Sequence, residues 1–348
     1  MAYSITKADS EYNKDDVIAL CSRNLSPLSG DRYNWKYIVN PDGKADVWLT
    51  HVDSEEVPVG ALSVFPRKIS VLGQDLLGGI LGDYSLSEEH RTLGPALSLQ
   101  KNIIESFSGL KYNFLYTIPN DKSRLVMKRA GYALIGHNLW LTKPVKTISF
   151  VQQRVSNGVL AKIISYPLDI LLKIKSKQLI RYTPKGCEFE KLTFFDKRFD
   201  FFWEKTKSQF PVIENRESEY MNWRFINNPS RQYNILALTT SDRKEILAYI
   251  VSYDRENRTY IADFLFTEPG KNMSNILREF TFCLKKEIEA VSLVYFGSAK
   301  IVDLLRRHNF LLTNDKAPLL GYMGDQAVLA ETIRDRENWH FIENDEDV

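Results

Sequence analysis

Six consecutive residues, Arg91 to Ala96, combine the groups that bind a phosphate where a helix begins. Pro95 suits the first turn of a helix, where a backbone N–H has no intrahelical partner. Gly94 lets a ligand approach the backbone, the free N–H groups and the helix dipole favour an anion, and Arg91 adds a positive charge. The spacing therefore predicts an anion site, and a surface strand-turn-helix with a solvated Arg91 is the alternative.

Strands flank this loop on both sides. Leu76 to Leu86 is apolar and punctuated by glycine, as suits a buried strand that another backbone approaches closely. Val57 to Leu72 predicts two strands with a break at Pro66, followed by a turn from Leu72 to Asp75. Tyr112 to Ile118 predicts a further strand after the helix. The loop therefore lies in an alternation of strands and helices.

The loop and its surroundings resemble the GNAT superfamily of acetyl-CoA-dependent N-acyltransferases. The family's pyrophosphate loop, Q/R-x-x-G-x-G/A, corresponds to R-T-L-G-P-A at Arg91 to Ala96, and its strand pattern D-V-x-V-x-P-E-x-R corresponds to Asp83 to Arg91. Asn120 and Gly131 stand where the family's later helix begins and ends. The resemblance covers about Tyr3 to Leu141 and implies acetyl-CoA as co-substrate. The cofactor-binding residues that it implies are Ser85, Leu86, Ser87, Arg91, Thr92, Leu93, Gly94, Pro95, Ala96 and Asn120.

The same resemblance suggests candidates for catalysis. Asp83 is the first candidate for a base, directly or through water, because an attacking amine must lose a proton; a structural Asp is the alternative. Backbone N–H groups of the strand at Ser85 to Ser87 are candidate oxyanion donors. Many family members carry a tyrosine that protonates the CoA thiolate where this chain has Met127, and a thioether cannot donate a proton. The weaker candidates for acid or base are Glu88, Glu89, His90 and His137.

Aromatic residues are the candidates for the acceptor site. Tyr33, Trp35 and Tyr37 lie in the segment that often forms part of the acceptor wall in this family, and Tyr84 lies on the strand expected to carry the cofactor. We predict that Tyr33, Trp35 and Tyr84 bind the substrate. Packing in the core or between domains is the alternative for each.

The chain contains an internal duplication. The segment from Asn34 to Pro41, N-W-K-Y-I-V-N-P, is echoed by N-W-R-F-I-N-N-P from Asn222 to Pro229, an offset of 188 residues. The offset falls to 180 at Asp83 and Asp263, and to 178 at Asn120 and Ser298. We therefore predict two tandem GNAT domains of the α/β class, each a mostly antiparallel mixed sheet flanked by helices. The second copy has no glycine where Gly94 stands, so we expect it to have lost cofactor binding; a second CoA at Gly270 and Lys271 is the alternative.

The predicted organisation is a CoA-binding domain at 1–145, a helical linker at 146–184, a degenerate second domain at 185–330 and a C-terminal tail at 331–348. The acidic end of the tail, Glu343 to Val348, is expected to be frayed and solvated. Within the linker, Gly158 to Lys177 is an apolar helix pair or kinked helix, broken near Pro167 and carrying lysines. A linker helix packed on both domains is the preferred interpretation. A basic amphipathic helix in weak contact with a membrane surface is the alternative.

Composition limits the class of protein. Hydrophobic residues make up 44% and charged residues 26% of the 348 residues, and the net charge is +2. This balance is that of a globular protein and offers no support for a nucleic-acid partner. Three scattered cysteines and five scattered histidines predict a reducing compartment and no metal site. The lack of a signal-like start and of a long apolar run predicts a cytoplasmic protein without a transmembrane segment.

The leading hypothesis is an acetyltransferase that moves an acetyl group from acetyl-CoA to the amine of a small polar acceptor. An amino sugar or a nucleotide-linked sugar is the preferred acceptor, by analogy with duplicated proteins of this appearance. A Fem-type ligase that uses aminoacyl-tRNA is one alternative. A non-catalytic protein that keeps CoA as a ligand is the other, and Met127 favours it.

Overall fold

The computed structural model describes residues 2–53, 56–152, 154–175, 182–313, 317–324 and 327–345. All of the strands described join in one mixed sheet of 16 strands, flanked by helices. The elements of the first half are β1 (Tyr3–Ala8), α1 (Lys14–Asn24), α2 (Gly30–Tyr33), β2 (Asp46–Val52), β3 (Gly60–Val71), β4 (Gln74–Leu86), α3 (Leu93–Glu105), β5 (Phe114–Thr117), α4 (Asp121–Ala130), β6 (Ala133–His137) and β7 (Leu139–Pro144).

Two helices follow β7, namely α5 (Ile148–Gln152) and α6 (Gly158–Lys175). The elements of the second half are β8 (Cys187–Leu192), α7 (Arg198–Thr206), β9 (Val212–Glu214), α8 (Ser218–Met221), β10 (Asn234–Thr240), β11 (Ile246–Arg255), β12 (Arg258–Phe266), α9 (Ser274–Phe282), β13 (Ala290–Gly297), α10 (Ala299–Arg307), β14 (Leu311–Leu312), β15 (Pro318–Tyr322), α11 (Ala327–Arg334) and β16 (Trp339–Ile342).

The first half is built around the long hairpin of β3 and β4. Its tip is the predicted turn, where Leu72 and Gly73 both have positive φ, at 51° and 82°, as a two-residue hairpin turn matched to strand twist requires. The predicted break at Pro66 is wrong, because β3 runs through it. Pro66 is opposite Gly79 of β4 on one edge of β3. On the other edge, the pairing with β2 ends at Val64 and the pairing with β9 begins at Ile69, so Pro66 lies between them and its missing N–H breaks no ladder.

The duplicated segments form the junction between the halves. Asn34–Ile38 and Asn222–Ile226 are both single turns of π-helix, and their tryptophans stack with ring centroids 5.0 Å apart. Each indole donates to the backbone carbonyl of the other tryptophan, at 2.8 Å from Trp35 to Trp223 and 2.9 Å in the reverse direction. These reciprocal contacts between equivalent residues show a pseudo-two-fold relation between the halves.

The halves also exchange strands. β7, at the end of the first half, lies between β13 and β14 of the second half. β15, in the equivalent place at the end of the second half, lies between β5 and β6 of the first half. Each half therefore completes its sheet with a strand from the other, and the strands cross the domain boundaries predicted from the sequence.

The prediction of a frayed end from Glu343 to Val348 is wrong for Glu343 to Asp345, and its last three residues lie outside the described part of the chain. α11 extends to Arg334, and β16 pairs with β13 and with β9 in the middle of the sheet. The apolar run Trp339–Ile342 is buried, and the Asp345 carboxylate is fully buried beside the Arg216 guanidinium. The acidic end is held because its last described carboxylate pairs with a buried cation.

Lys143 on β7 is a buried cation whose titration affects stability. Its side chain is 3% exposed and donates a hydrogen bond to the Thr281 hydroxyl at 3.2 Å. Burial lowers the pKa of Lys143 from 10.5 to about 8. The folded protein therefore binds the Lys143 proton less tightly than the unfolded chain does.

We predict that Lys143→Met stabilises the protein at pH 7 by ~1–3 kcal/mol. The folded pKa lies below the unfolded value, so the wild type gains stability relative to the variant as pH rises from about 8 to 10.5. Urea unfolding of both proteins across this range measures the difference. A pH-independent gap between the two would contradict a depressed pKa.

Candidate functional site

The predicted anion loop is an open first turn of α3. The helix begins at Leu93, and the Thr92 side chain in the capping position makes no hydrogen bond to it. A Cβ added to Gly94 would meet no atom within 4 Å, so the space above this turn is open. The first N–H groups of α3 thus have no side-chain cap from Thr92, which is the state in which a helix start accepts an anion.

Arg91 holds this loop in place. Its Nε donates to the Leu86 carbonyl oxygen at 2.8 Å, and its Nη2 donates to the Asn24 side-chain oxygen at 3.0 Å. The guanidinium therefore links the end of β4 to α1. Its charge stays beside the helix start, but two of its N–H groups already have protein acceptors.

A bulge in β4 separates Asp83 from Tyr84. Asp83 has φ of 50°, and on β3 only Leu62 lies between the partners of Gly82 and Ser85, so two residues face one. Tyr84 packs on the side of α3, where its hydroxyl donates to the Ala96 carbonyl oxygen at 2.9 Å. Asp83 instead contacts the residues that follow α2. Because of the bulge, Asp83, the predicted catalytic residue, lies on one side of β4 and α3 lies on the other.

The Asp83 carboxylate is the centre of a polar cluster. Its Oδ2 accepts from the Tyr37 hydroxyl at 2.6 Å and from the Lys36 ammonium at 3.0 Å, and the Ser63 hydroxyl donates to Tyr37 at 3.1 Å. The Tyr33 ring stacks on Tyr37 at 4.1 Å. Burial alone would raise the pKa of Asp83, but the Lys36 ammonium and the Tyr37 hydroxyl outweigh burial and hold that pKa below its usual value of 3.8.

This cluster changes the role expected of Asp83. A carboxylate with a lowered pKa is a weak proton acceptor, so its geometry favours charge pairing over direct abstraction of a proton. The sequence analysis did not single out Lys36 or Ser63. Lys36 could have been noticed, since the duplicated segment has a cation at the same place, Arg224.

The predicted acceptor aromatics do not form one wall. Tyr33 lies next to the Asp83 cluster through Tyr37, and its own hydroxyl donates to the Ser10 carbonyl oxygen at 2.6 Å. Trp35 lies at the junction with Trp223 instead, where both line a cavity of about 580 Å³. Tyr33 and Trp35, two residues apart in this helical segment, therefore lie in different environments.

The remaining candidates lie in structural or surface positions. The Asn120 side chain caps α4 by accepting from the Ser123 N–H at 3.0 Å. Met127 is buried in the core beneath α4. His90 contacts the Tyr3 hydroxyl at 3.0 Å, while Glu88, Glu89 and His137 are exposed. Ser85 and Ser87 are buried at the end of β4.

The second half differs at each equivalent place. A π-turn at Pro269–Met273 precedes α9. Asp263, the counterpart of Asp83, contacts Arg216 at 3.2 Å and the Tyr249 hydroxyl at 2.6 Å, and burial raises its pKa to about 6. A cavity of about 880 Å³ lies near Arg231, Tyr233 and Lys285. It borders the beginning of β12 and the end of α9, away from Pro269–Met273.

In the second half, β16 enters the space where β12 and β13 diverge. The pairing of β12 with β13 ends at Tyr260 and Ser292. Beyond that point β16 takes the place of β12 and pairs with the same edge of β13. The buried His340 ring donates from Nε2 to the Phe264 carbonyl oxygen of β12 at 3.0 Å. In the first half, the pairing of β4 with β5 ends at Ile80 and Tyr116, and no described strand enters between the two strands beyond that point.

We predict that Asp83→Asn lowers the free energy of unfolding by ~1–3 kcal/mol, because the Lys36 ammonium, 5% exposed, loses a charged acceptor. The Lys36→Met, Asp83→Asn double variant should lose less than the sum of the single variants. The Asp83 contribution should be present above its unfolded pKa of 3.8 and fade as pH falls through the lower folded value. Urea unfolding of the four proteins at pH 7 and pH 3.5 measures this coupling, and additive losses would refute the pairing.

Solved structures share this architecture. No protein-family model matches the chain, and no curated protein is significantly similar to it. A probable N-acyltransferase from Enterococcus faecalis V583 superposes with a TM-score of 0.68 at 11% identity, over 93% of this chain and 73% of that one. A tandem GNAT protein from the clavulanic acid biosynthesis pathway gives 0.56 at 9% identity, over 92% and 98%. N-myristoyltransferase from Saccharomyces cerevisiae, with bound myristoyl-CoA, gives 0.56 at 13% identity, over 92% and 82%. The predicted GNAT fold is confirmed, in its tandem form.

Proposed function

We propose that the chain is an acetyl-CoA-dependent N-acyltransferase whose first half binds the cofactor. The observation that carries the proposal is the contrast between the halves. The first half keeps an open helix start at Gly94, and no described strand enters between β4 and β5 beyond Ile80 and Tyr116. The second half has a π-turn in the equivalent loop, and β16 enters where β12 and β13 diverge.

The proposed chemistry is attack of a neutral amine on the thioester carbonyl. A C–N bond forms, the C–S bond breaks, and the amine proton passes to water. The pyrophosphate lies at the loop from Arg91 to Ala96, and Ser85, Leu86 and Ser87 lie along the acyl arm. Because Met127 is buried and carries no proton to donate, water protonates the departing thiolate.

Asp83 is proposed to anchor the acceptor rather than to act as a strong base. Its side chain is 19% exposed, so a ligand reaches it, whereas Lys36 behind it is 5% exposed. Its Oδ2 accepts from Tyr37 and Lys36, and no described residue donates to Oδ1. An acceptor ammonium is attracted to such a carboxylate, and water next to it then takes the proton.

Tyr33 contacts the Asp83 cluster through Tyr37, and Tyr84 lies on the other side of β4 against α3, so neither directly supports the predicted acceptor. We keep an amino sugar or a nucleotide-linked sugar as the proposed acceptor, on analogy alone. A CoA thioester with a longer acyl chain is the natural comparison, because the yeast N-myristoyltransferase of this fold holds myristoyl-CoA. Competition between acetyl-CoA and myristoyl-CoA distinguishes the two.

The two other functions differ from this one in measurable ways. A Fem-type ligase would bind aminoacyl-tRNA, and a net charge of +2 gives that interaction little support. A non-catalytic CoA-binding protein is favoured by Met127 and would bind acetyl-CoA without releasing thiol in the presence of any amine. Release of free CoA, detected by thiol titration across a panel of amino sugars, separates an enzyme from a binding protein.

We predict that acetyl-CoA binds one site per chain and that Gly94→Trp abolishes binding, since the indole fills the open space above α3. Gly270→Trp is the matched control, because Gly270 is equally open and lies in the equivalent loop of the second half. Isothermal titration of wild type and both variants provides the measurement. Loss of binding in Gly270→Trp but not in Gly94→Trp would assign the site to the second half. No binding to wild type at millimolar ligand would refute the acyl-CoA hypothesis.

A further inference from the structure

α6 presents an apolar face to solvent. Among its described side chains only Ala161 and Ser165 are buried, while Val159, Ile163 and Leu171 are 71%, 64% and 60% exposed. The helix runs through Pro167 as one element. The preferred interpretation from the sequence, a linker packed on both domains, is therefore wrong. The large apolar side chains exposed on α6 are Val159, Leu160, Ile163, Ile164, Tyr166, Leu168, Ile170, Leu171 and Ile174.

The opposite face of α6 fixes the helix to the protein. Asp169 accepts from the Thr147 N–H at 2.7 Å and from the Thr147 hydroxyl at 2.8 Å. The Thr147 hydroxyl also reaches the Ser165 carbonyl oxygen at 3.3 Å. Asn157 caps the start of the helix by accepting from the N–H groups of Val159 and Leu160. The helix is thus anchored along the line of Ala161, Ser165 and Asp169, with its apolar face directed away.

The charges of α6 suit an anionic surface. The helix sequence contains three lysines, Lys162, Lys173 and Lys175, and by the 3.6-residue repeat the exposed Lys162 falls on one border of the apolar arc. Asp169, the sole acid in the helix sequence, accepts hydrogen bonds from Thr147 on the anchored face. An exposed apolar arc in a helix whose charges are mostly lysine is the pattern of a helix that lies in the interface of a bilayer.

We propose that α6 docks the protein on the surface of a bilayer that contains anionic lipid. The apolar arc enters the boundary between headgroups and acyl chains, and the lysines contact lipid phosphates. No helix among the described residues is long and apolar enough to cross a bilayer, so α6 lies along the surface. A second copy of the chain is a poorer occupant, because pairing two such helices would bring together two lysine-rich segments of like charge.

Vesicle flotation tests this proposal. Wild type should float with vesicles of equal parts phosphatidylglycerol and phosphatidylcholine, and added salt should weaken the binding. With phosphatidylcholine alone, binding should be much weaker. The double variant Ile163→Gln, Leu171→Gln should lower the partition coefficient about ten-fold or more, and Lys162→Gln should lower it only for the anionic vesicles.

Phe201→Gln is the matched control, because Phe201 is 72% exposed on α7, outside this face. It should float like the wild type. Thermal unfolding of each variant checks that the fold is retained, as expected for exposed positions. Failure of the wild type to bind either vesicle, or equal binding by the double variant, would overturn the proposal. A concentration-dependent dimer that the double variant abolishes, without vesicle binding, would instead assign the face to a second copy.

Discussion

Two tryptophans that bond each other's backbone hold the halves of this protein in one arrangement. Trp35 and Trp223 occupy equivalent places in a duplicated π-turn, and each indole satisfies the carbonyl that the other turn leaves open. A buried indole N–H needs an acceptor, so neither half can satisfy its own tryptophan without the other. The exchanged strands β7 and β15 extend the same dependence along the sheet. The halves therefore share one sheet and are not two separate domains joined by a linker.

Because the halves are related by pseudo-symmetry, neighbouring strands diverge at two equivalent places, between β4 and β5 and between β12 and β13. The halves differ in whether another strand enters there. β16 enters the second place, and Asp345 at its end meets Arg216 at 2.7 Å, which also contacts Asp263. Nearby, burial raises the pKa of Glu214 well above its usual value, and this carboxyl bonds the Tyr116 hydroxyl of the first half. Buried charges of this sort raise the free energy of the folded state unless each one has its partner. The C-terminal strand is therefore fixed in the second half, whereas no described strand enters the equivalent place in the first half.

Local features of the structure could be predicted from the sequence, and contacts distant in the chain could not. The hairpin turn at Leu72 and Gly73, the helix after Thr92 and the duplication at Trp35 and Trp223 are encoded in short stretches whose chemistry is readable. The strand exchange could not be predicted, because β7 has the same apolar pattern whether it pairs with its own half or with the other. The order of β16 depends on Arg216, more than a hundred residues away, and its acidic end resembles a frayed tail in sequence. The environment of Asp83 could not be predicted either, because it is set by Lys36, 47 residues earlier in the chain.

Hydrogen exchange with and without acetyl-CoA shows whether the first half alone holds the CoA thioester. We predict slower exchange of backbone amides in the stretch from Ser85 to Ala96, where β4 ends and α3 begins, because these are the groups that a pyrophosphate and an acyl arm would contact. Exchange from Thr267 to Ser274, the equivalent stretch of the second half, should be unchanged. Protection of the second stretch in place of the first, or no protection of either at saturating ligand, would contradict this prediction.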